Sequence, residues 1–141
     1  MKTAIRYSAV LAPQPEGGFT VTFPDIPEAI TEGDTREAAL FNAAEVLTLC
    51  LVQRLEDGDA IPDAERVKGG VWVEPHATVQ VALLVRRTRE EQGRTLAELA
   101  RALETSWPTV QRLEKPGANP TLRQLERTAA ALGKRLIIEM A

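Results

Sequence analysis

At 141 residues and 44% hydrophobic content the chain suits one ordinary domain or two small ones sharing a core, and no apolar run approaches the roughly 20 residues of a membrane span. A single cysteine, Cys50, excludes an internal disulfide and suits a reducing cytoplasm, and a single histidine, His76, leaves almost no material for a nitrogen–sulfur metal site. The net charge of −3 is divided unevenly, −6 over residues 1–70 and +3 over residues 71–141, which fits ordinary surface solvation or two surfaces with different partners: a cationic protein for the acidic half, nucleic acid for the basic one.

The N-terminal Met1-Lys2-Thr3-Ala4-Ile5-Arg6-Tyr7 puts charges where a signal peptide has its apolar stretch, which argues against export. Ile5 to Leu11 is rich in β-formers, Glu16-Gly17-Gly18 signals a hairpin turn, and Phe19 to Phe23 alternates apolar and polar residues. Pro24 ends that strand, and Ile26 to Ile30 is expected to form a third, with Gly33 and Asp34 turning the chain. Thr35 suits a helix N-cap. Ala39, Leu40, Ala43, Val46, Leu47, Cys50, Leu51 and Leu55 then recur at helical spacing, with Cys50 read as a small buried apolar residue, until Asp57-Gly58-Asp59 and Pro62 break the pattern. Val71-Trp72-Val73 is a further strand, so residues 1–75 read β-β-β-α-β.

Residues 76–141 read as helical. A helix over Thr78 to Glu91 closes near Gly93, and Thr95 with Glu98 has the spacing of a capping box. Ser106 caps the next helix with Pro108 in its first turn, and Thr121 to Leu132 forms another, closed by Gly133. Lys134 to Met140 ends the chain as an apolar strand that must pair, most economically with its counterpart in a second subunit. The expected class is therefore α+β, a sheet module followed by an all-α domain with a terminal strand.

Between Thr95 and Glu114, Leu96, Leu99, Ala100 and Leu103 share one helix face, and Val110 and Leu113 turn back to it from the next helix. Polar residues are left at the exposed start of the second helix, where a recognition helix meets base edges. The expected DNA-binding residues are Arg94, Thr95, Ser106, Trp107, Thr109, Gln111, Arg112 and Lys115, although Trp107 fits packing beneath the helix equally well. The alternative for the segment is a helical bundle that dimerises without DNA. Leu99-Ala100, the Val110 to Glu114 run, Asn119 to Leu122 and Ala131 to Gly133 resemble the phage-repressor-like helix-turn-helix family. Glu104 stands where that family usually has a turn glycine, and Leu96 and Trp107 replace its common glutamines.

Over residues 1–140 the ordered motifs resemble the HicB antitoxin family. They are Tyr7 to Leu11, Pro15 to Phe19, Val21 to Ala29, Thr31 to Thr35, Glu37-Ala38, Glu56 to Asp59 with Ile61-Pro62, and Gly133 to Leu136. The resemblance implies a partial ribonuclease-H-like module at 1–75 that covers the active site of HicA, a small basic mRNA-cleaving toxin. It also implies that a helix-turn-helix domain at 76–141 represses the chain's own operon at operator DNA. Toxin-facing residues are expected around the second strand and its loop: Phe23, Asp25, Ile26, Glu28, Ile30, Glu32 and Asp34, with Ile26 and Ile30 fitting a core equally well. A homodimer or dimer of dimers follows, cytoplasmic and not membrane-bound, with no cofactor and no metal.

Two other function classes compete with this one. A stand-alone repressor would use the first module to bind another ligand or protein. A nuclease would need carboxylates converging on divalent ions, yet Tyr7 to Leu11 holds none, and Asp25, Glu28, Asp57, Asp59 and Asp63 read as a solvated face. Ser8 and Ser106 lack a plausible histidine partner beyond the remote His76, so a serine triad is not supported and the chain reads as a non-enzyme.

Overall fold

The computed structural model describes residues 4–141 and divides into two compact units, one ending at Gln80 and one beginning at Val81. Met1 to Thr3, part of the segment read above as unlike a signal peptide, lie outside the described residues.

In the first unit β1 (Tyr7–Pro13), β2 (Phe19–Thr22), β3 (Ile30–Gly33) and β4 (Val71–Val73) form one antiparallel sheet in the order β3-β2-β1-β4. The register sets Leu11 opposite Val21, Val21 opposite Thr31 and Tyr7 opposite Val73. Alternation along the strands then puts Tyr7, Ala9, Val21 and Val73 on one face, all buried. Helix α1 (Arg36–Asp57) covers that face with Ala39, Ala43, Leu47 and Leu51. Thr35 caps it as expected, its hydroxyl accepting from the Ala38 amide, and Gly58 ends it in the left-handed conformation.

The third strand lies later than the sequence pattern placed it. Pro24 and Pro27 cannot donate to a ladder, and the chain between them folds into tight turns: Ile26 N–H donates to Phe23 O and Ala29 N–H to Ile26 O. Ile26 and Ala29 are thereby buried, and pairing resumes only at Ile30. Gly33, expected in a turn, is the last residue of β3. A β-carbon there would stand 2.3 Å from the Ala39 nitrogen, so the strand and the first turn of α1 meet backbone to backbone.

The irregular segment between α1 and β4 is tied back to the sheet. Tyr7 Oη donates to Pro62 O at 2.6 Å, Ser8 Oγ accepts from Val67 N and the Asp25 carboxylate accepts from Glu65 N. Arg54 forks onto Glu28 at 2.6 and 2.9 Å and donates to Ala60 O. By length and composition α1 could cross a membrane, contrary to the reading that no such stretch exists. Its apolar content includes the alanines and leucines that pack on the sheet.

Helix α2 (Ala77–Glu91) opens in the first unit, where the His76 amide donates to the Thr48 hydroxyl of α1. The second unit continues through α3 (Leu96–Ala102), α4 (Trp107–Leu113) and α5 (Leu122–Ala131). Its core is Val85, Leu99, Ala100, Val110, Leu113 and Leu132. The capping box at Thr95 and Glu98 is formed, and Thr121 with Gln124 forms a second one.

Lys134 to Met140 is not a strand. Among the described residues no strand offers it a ladder, and Ile137, Ile138 and Met140 stand exposed. A strand exists only where another backbone completes its hydrogen bonds.

Replacing Gly33 with alanine should cost about 1–3 kcal/mol, because neither backbone can yield without separating α1 from β3. A urea denaturation midpoint equal to that of the parent protein would contradict the close approach.

Candidate functional site

The second unit displays the start of α4. Ser106 caps this helix, its Oγ accepting from the Thr109 amide and lying 2.7 Å from the Thr109 hydroxyl. Pro108 occupies the first turn, where its missing amide costs nothing. Val110 and Leu113 point inward onto Leu99 and Ala100 of α3, which orients the remaining residues outward. Trp107 is 45% exposed, so it does not pack beneath the helix. Arg112 and Lys115 are exposed, and Thr109 and Gln111 are half-buried. This face combines amide and guanidinium donors with one large apolar ring, the chemistry that reads base edges and thymine methyls.

The turn between α3 and α4 contains Glu104 at φ 53°, a left-handed conformation that β-carbon sterics disfavour. The backbone thus keeps the shape for which the family usually uses glycine, while the side chain does not help.

Arg94 and Thr95, grouped with the DNA-binding residues from sequence, hold the scaffold. Arg94 Nη1 donates to Ala131 O at 2.5 Å, and Thr95 is the N-cap of α3. Glu98 accepts from the Thr95 amide, and that bond holds its carboxyl below the usual glutamate range. Sequence reasoning passed over the pair that fixes the far end of α4. Arg89 of α2 forks onto Glu114 at 2.7 and 3.0 Å and also donates to Arg94 O, with both side chains nearly buried. The bonds to Glu114 push the Arg89 guanidinium up, so it stays charged. The visible signal was Glu114 closing the Val110 to Glu114 run, a carboxylate directly after an inward leucine.

In the first unit the residues expected to face a partner separate into two groups. Phe23 and Ile26 are at most 1% exposed and belong to the core, so they are removed from that surface. Asp25 and Glu28 are engaged by Glu65 N and Arg54. The Arg54 fork holds the Glu28 carboxyl below its usual range. Ile30, Glu32 and Asp34 are exposed on or just after edge strand β3, Ile30 to 59%. Cys50 is half-buried rather than buried; its burial, and then the Glu28 charge, push its thiol up, which disfavours the reactive thiolate. Among the described residues no three histidine, cysteine or acidic side chains are grouped to hold a metal ion.

Comparison with known proteins adds the family context. A family model described as the HicB-like antitoxin of bacterial toxin–antitoxin systems matches residues 6–83, and a helix-turn-helix model matches residues 85–137. An antitoxin HicB of Photorhabdus laumondii is 37% identical over 121 residues, 86% of either chain. One of Escherichia coli is 31% identical over 137 residues, 96% of this chain and 99% of its own. The crystal structure of the N-terminal domain of Burkholderia pseudomallei antitoxin HicB aligns with 49% of this chain and 93% of its own, at 22% identity and a TM-score of 0.43.

Two outcomes follow from these contacts. Glu104→Gly should raise the unfolding midpoint, by roughly 0.5–1 kcal/mol of stability, since relief of left-handed strain exceeds the added chain entropy. Glu28 is depressed below its ordinary 4.5, so its pairing stabilises the fold above that value and is lost as pH falls through the folded one. Glu28→Gln should therefore lose less stability than the parent on acidification from neutrality, read from denaturation midpoints across pH.

Proposed function

The chain belongs to the HicB-like antitoxin family, and on that footing we propose that it neutralises a HicA-like mRNA-cleaving toxin by covering the toxin's active site, and represses its own operon by binding operator DNA. The observation that carries this reading is the joining, in one chain, of an acidic sheet unit to a helix-turn-helix unit whose α4 displays Trp107, Gln111 and Arg112. A negative surface speeds encounter with a basic toxin and competes with its RNA, while a positive unit tolerates phosphate.

In this reading Ile30, Glu32 and Asp34 meet the toxin along the β3 edge. Ser106, Trp107, Thr109, Gln111 and Arg112 read the operator, and Lys115 holds phosphate. The strand order β3-β2-β1-β4 with one helix on a face supports a partial ribonuclease-H-like module. The exposed Ile137 and Ile138 support pairing of the terminal segments of two subunits, giving a homodimer on a two-fold operator, or a dimer of dimers through the N-terminal units. The protein acts in the cytoplasm as a regulator and not as an enzyme.

The test titrates the full chain into an RNA-cleavage assay of a HicA-like toxin, taken from any small basic protein encoded next to it, with operator binding measured in parallel. Stoichiometric inhibition is expected. Arg112→Ala should weaken operator binding by roughly 5- to 150-fold and leave inhibition intact, as loss of a base contact worth about 1–3 kcal/mol requires. Absence of both complex and inhibition would leave a DNA-binding regulator whose first unit serves another partner.

A further inference from the structure

The outer side of α1 carries a row of residues that lie outside the buried core. Ala38, Phe41, Glu45, Leu49, Val52 and Glu56 follow one another at spacings of three and four, within about 80° of the helix circumference. Phe41 is 67% and Leu49 69% exposed, and Ala38 and Val52 are half-buried beside them. A lone exposed leucine is ordinary, but a row at seam spacing is how a helix face docks.

The charges of the row are all of one sign. Glu45 and Glu56 lie within it and Glu37 flanks it. The two arginines of α1, Arg36 and Arg54, are about five full turns apart and share a different side, where Arg54 is committed to Glu28. Glu45 contacts His76 Nε2 at 2.5 Å and remains 43% exposed.

We propose that this row is the seat of a cationic protein: Phe41 and Leu49 enter apolar depressions on its surface while Glu37, Glu45 and Glu56 meet its basic rim. The charge pattern selects the occupant. A second copy would set glutamates against glutamates, and nucleic acid would be repelled. The row adjoins the edge of β3, because Asn42, next to Phe41, donates to Glu32 O at 2.8 Å. That bond also occupies an edge carbonyl, which favours docking on helix side chains over addition of a strand. The inference rests on the antitoxin reading and extends the toxin's seat from Ile30 and Glu32 onto α1.

The experiment measures affinity between the full chain and the HicA-like toxin of the preceding test, together with inhibition of RNA cleavage. Phe41→Ser/Leu49→Ser should weaken binding about 100-fold, as loss of two anchors does, with an unchanged thermal melt because neither residue is in the core. Glu37→Gln/Glu56→Gln should slow association and flatten its salt dependence. If the parent chain binds and inhibits while the serine double variant binds equally well, the seat on α1 is refuted and the antitoxin reading stands. If the parent chain does not bind the toxin, both fall. A lower mass of the toxin-free double variant would identify a second copy as the occupant and overturn the proposal.

Discussion

The first unit depends on how closely α1 lies against β3. Gly33 and Ala39 meet through their backbones, and Ala43 continues the small-residue contact one turn further on. Larger side chains would hold the helix off the sheet and open a gap above Tyr7, Ala9 and Val21, the residues that make the core. Once α1 is seated there, its remaining faces are assigned. Arg54 turns toward Glu28 and Ala60, Thr48 accepts the His76 amide where α2 begins, and Phe41 and Leu49 are left outside.

The second unit separates support from recognition. Arg89, Arg94, Glu98 and Glu114 carry formal charges, yet each is spent on holding a helix end or a loop carbonyl. A nearly buried carboxylate such as Glu114 is tolerable only while its partner is present, so the Arg89 fork constrains where α4 ends. The strained Glu104 turn constrains where α4 begins. Between these two fixed points the exposed residues of α4 are displayed at an angle they do not themselves determine, which suits a helix that must enter a groove.

Charge divides the chain into an acidic unit and a basic one without any residue being dedicated to that task. In the acidic unit the Arg54 fork engages Glu28 and His76 engages Glu45, while Glu32, Asp34 and Glu37 stay exposed. Long-range attraction acts on encounter rates and is screened by salt, whereas in the proposed interface the apolar anchors would supply the affinity. An interface of this composition reconciles fast capture with tight holding.

Elements written into local chemistry were legible from the chain alone. The Thr35 cap, the Thr95–Glu98 capping box, the Ser106 start of α4 and the Val71–Val73 strand follow from residues within one or two turns of each other. The inward set Leu99, Ala100, Val110 and Leu113 was equally clear, because helical periodicity names a buried face wherever the helix packs. Tertiary structure alone decided the rest. It moved the third strand to Ile30, since the turns after Phe23 form only when Ile26 and Ala29 have a core to enter. It left Lys134 to Met140 without strand structure, because a strand is a property of two backbones. It also turned Arg94 into a structural bond and exposed Phe41 and Leu49. Sequence specifies which residues prefer water and which local turns are cheap; only packing fixes which of several compatible neighbours each side chain meets.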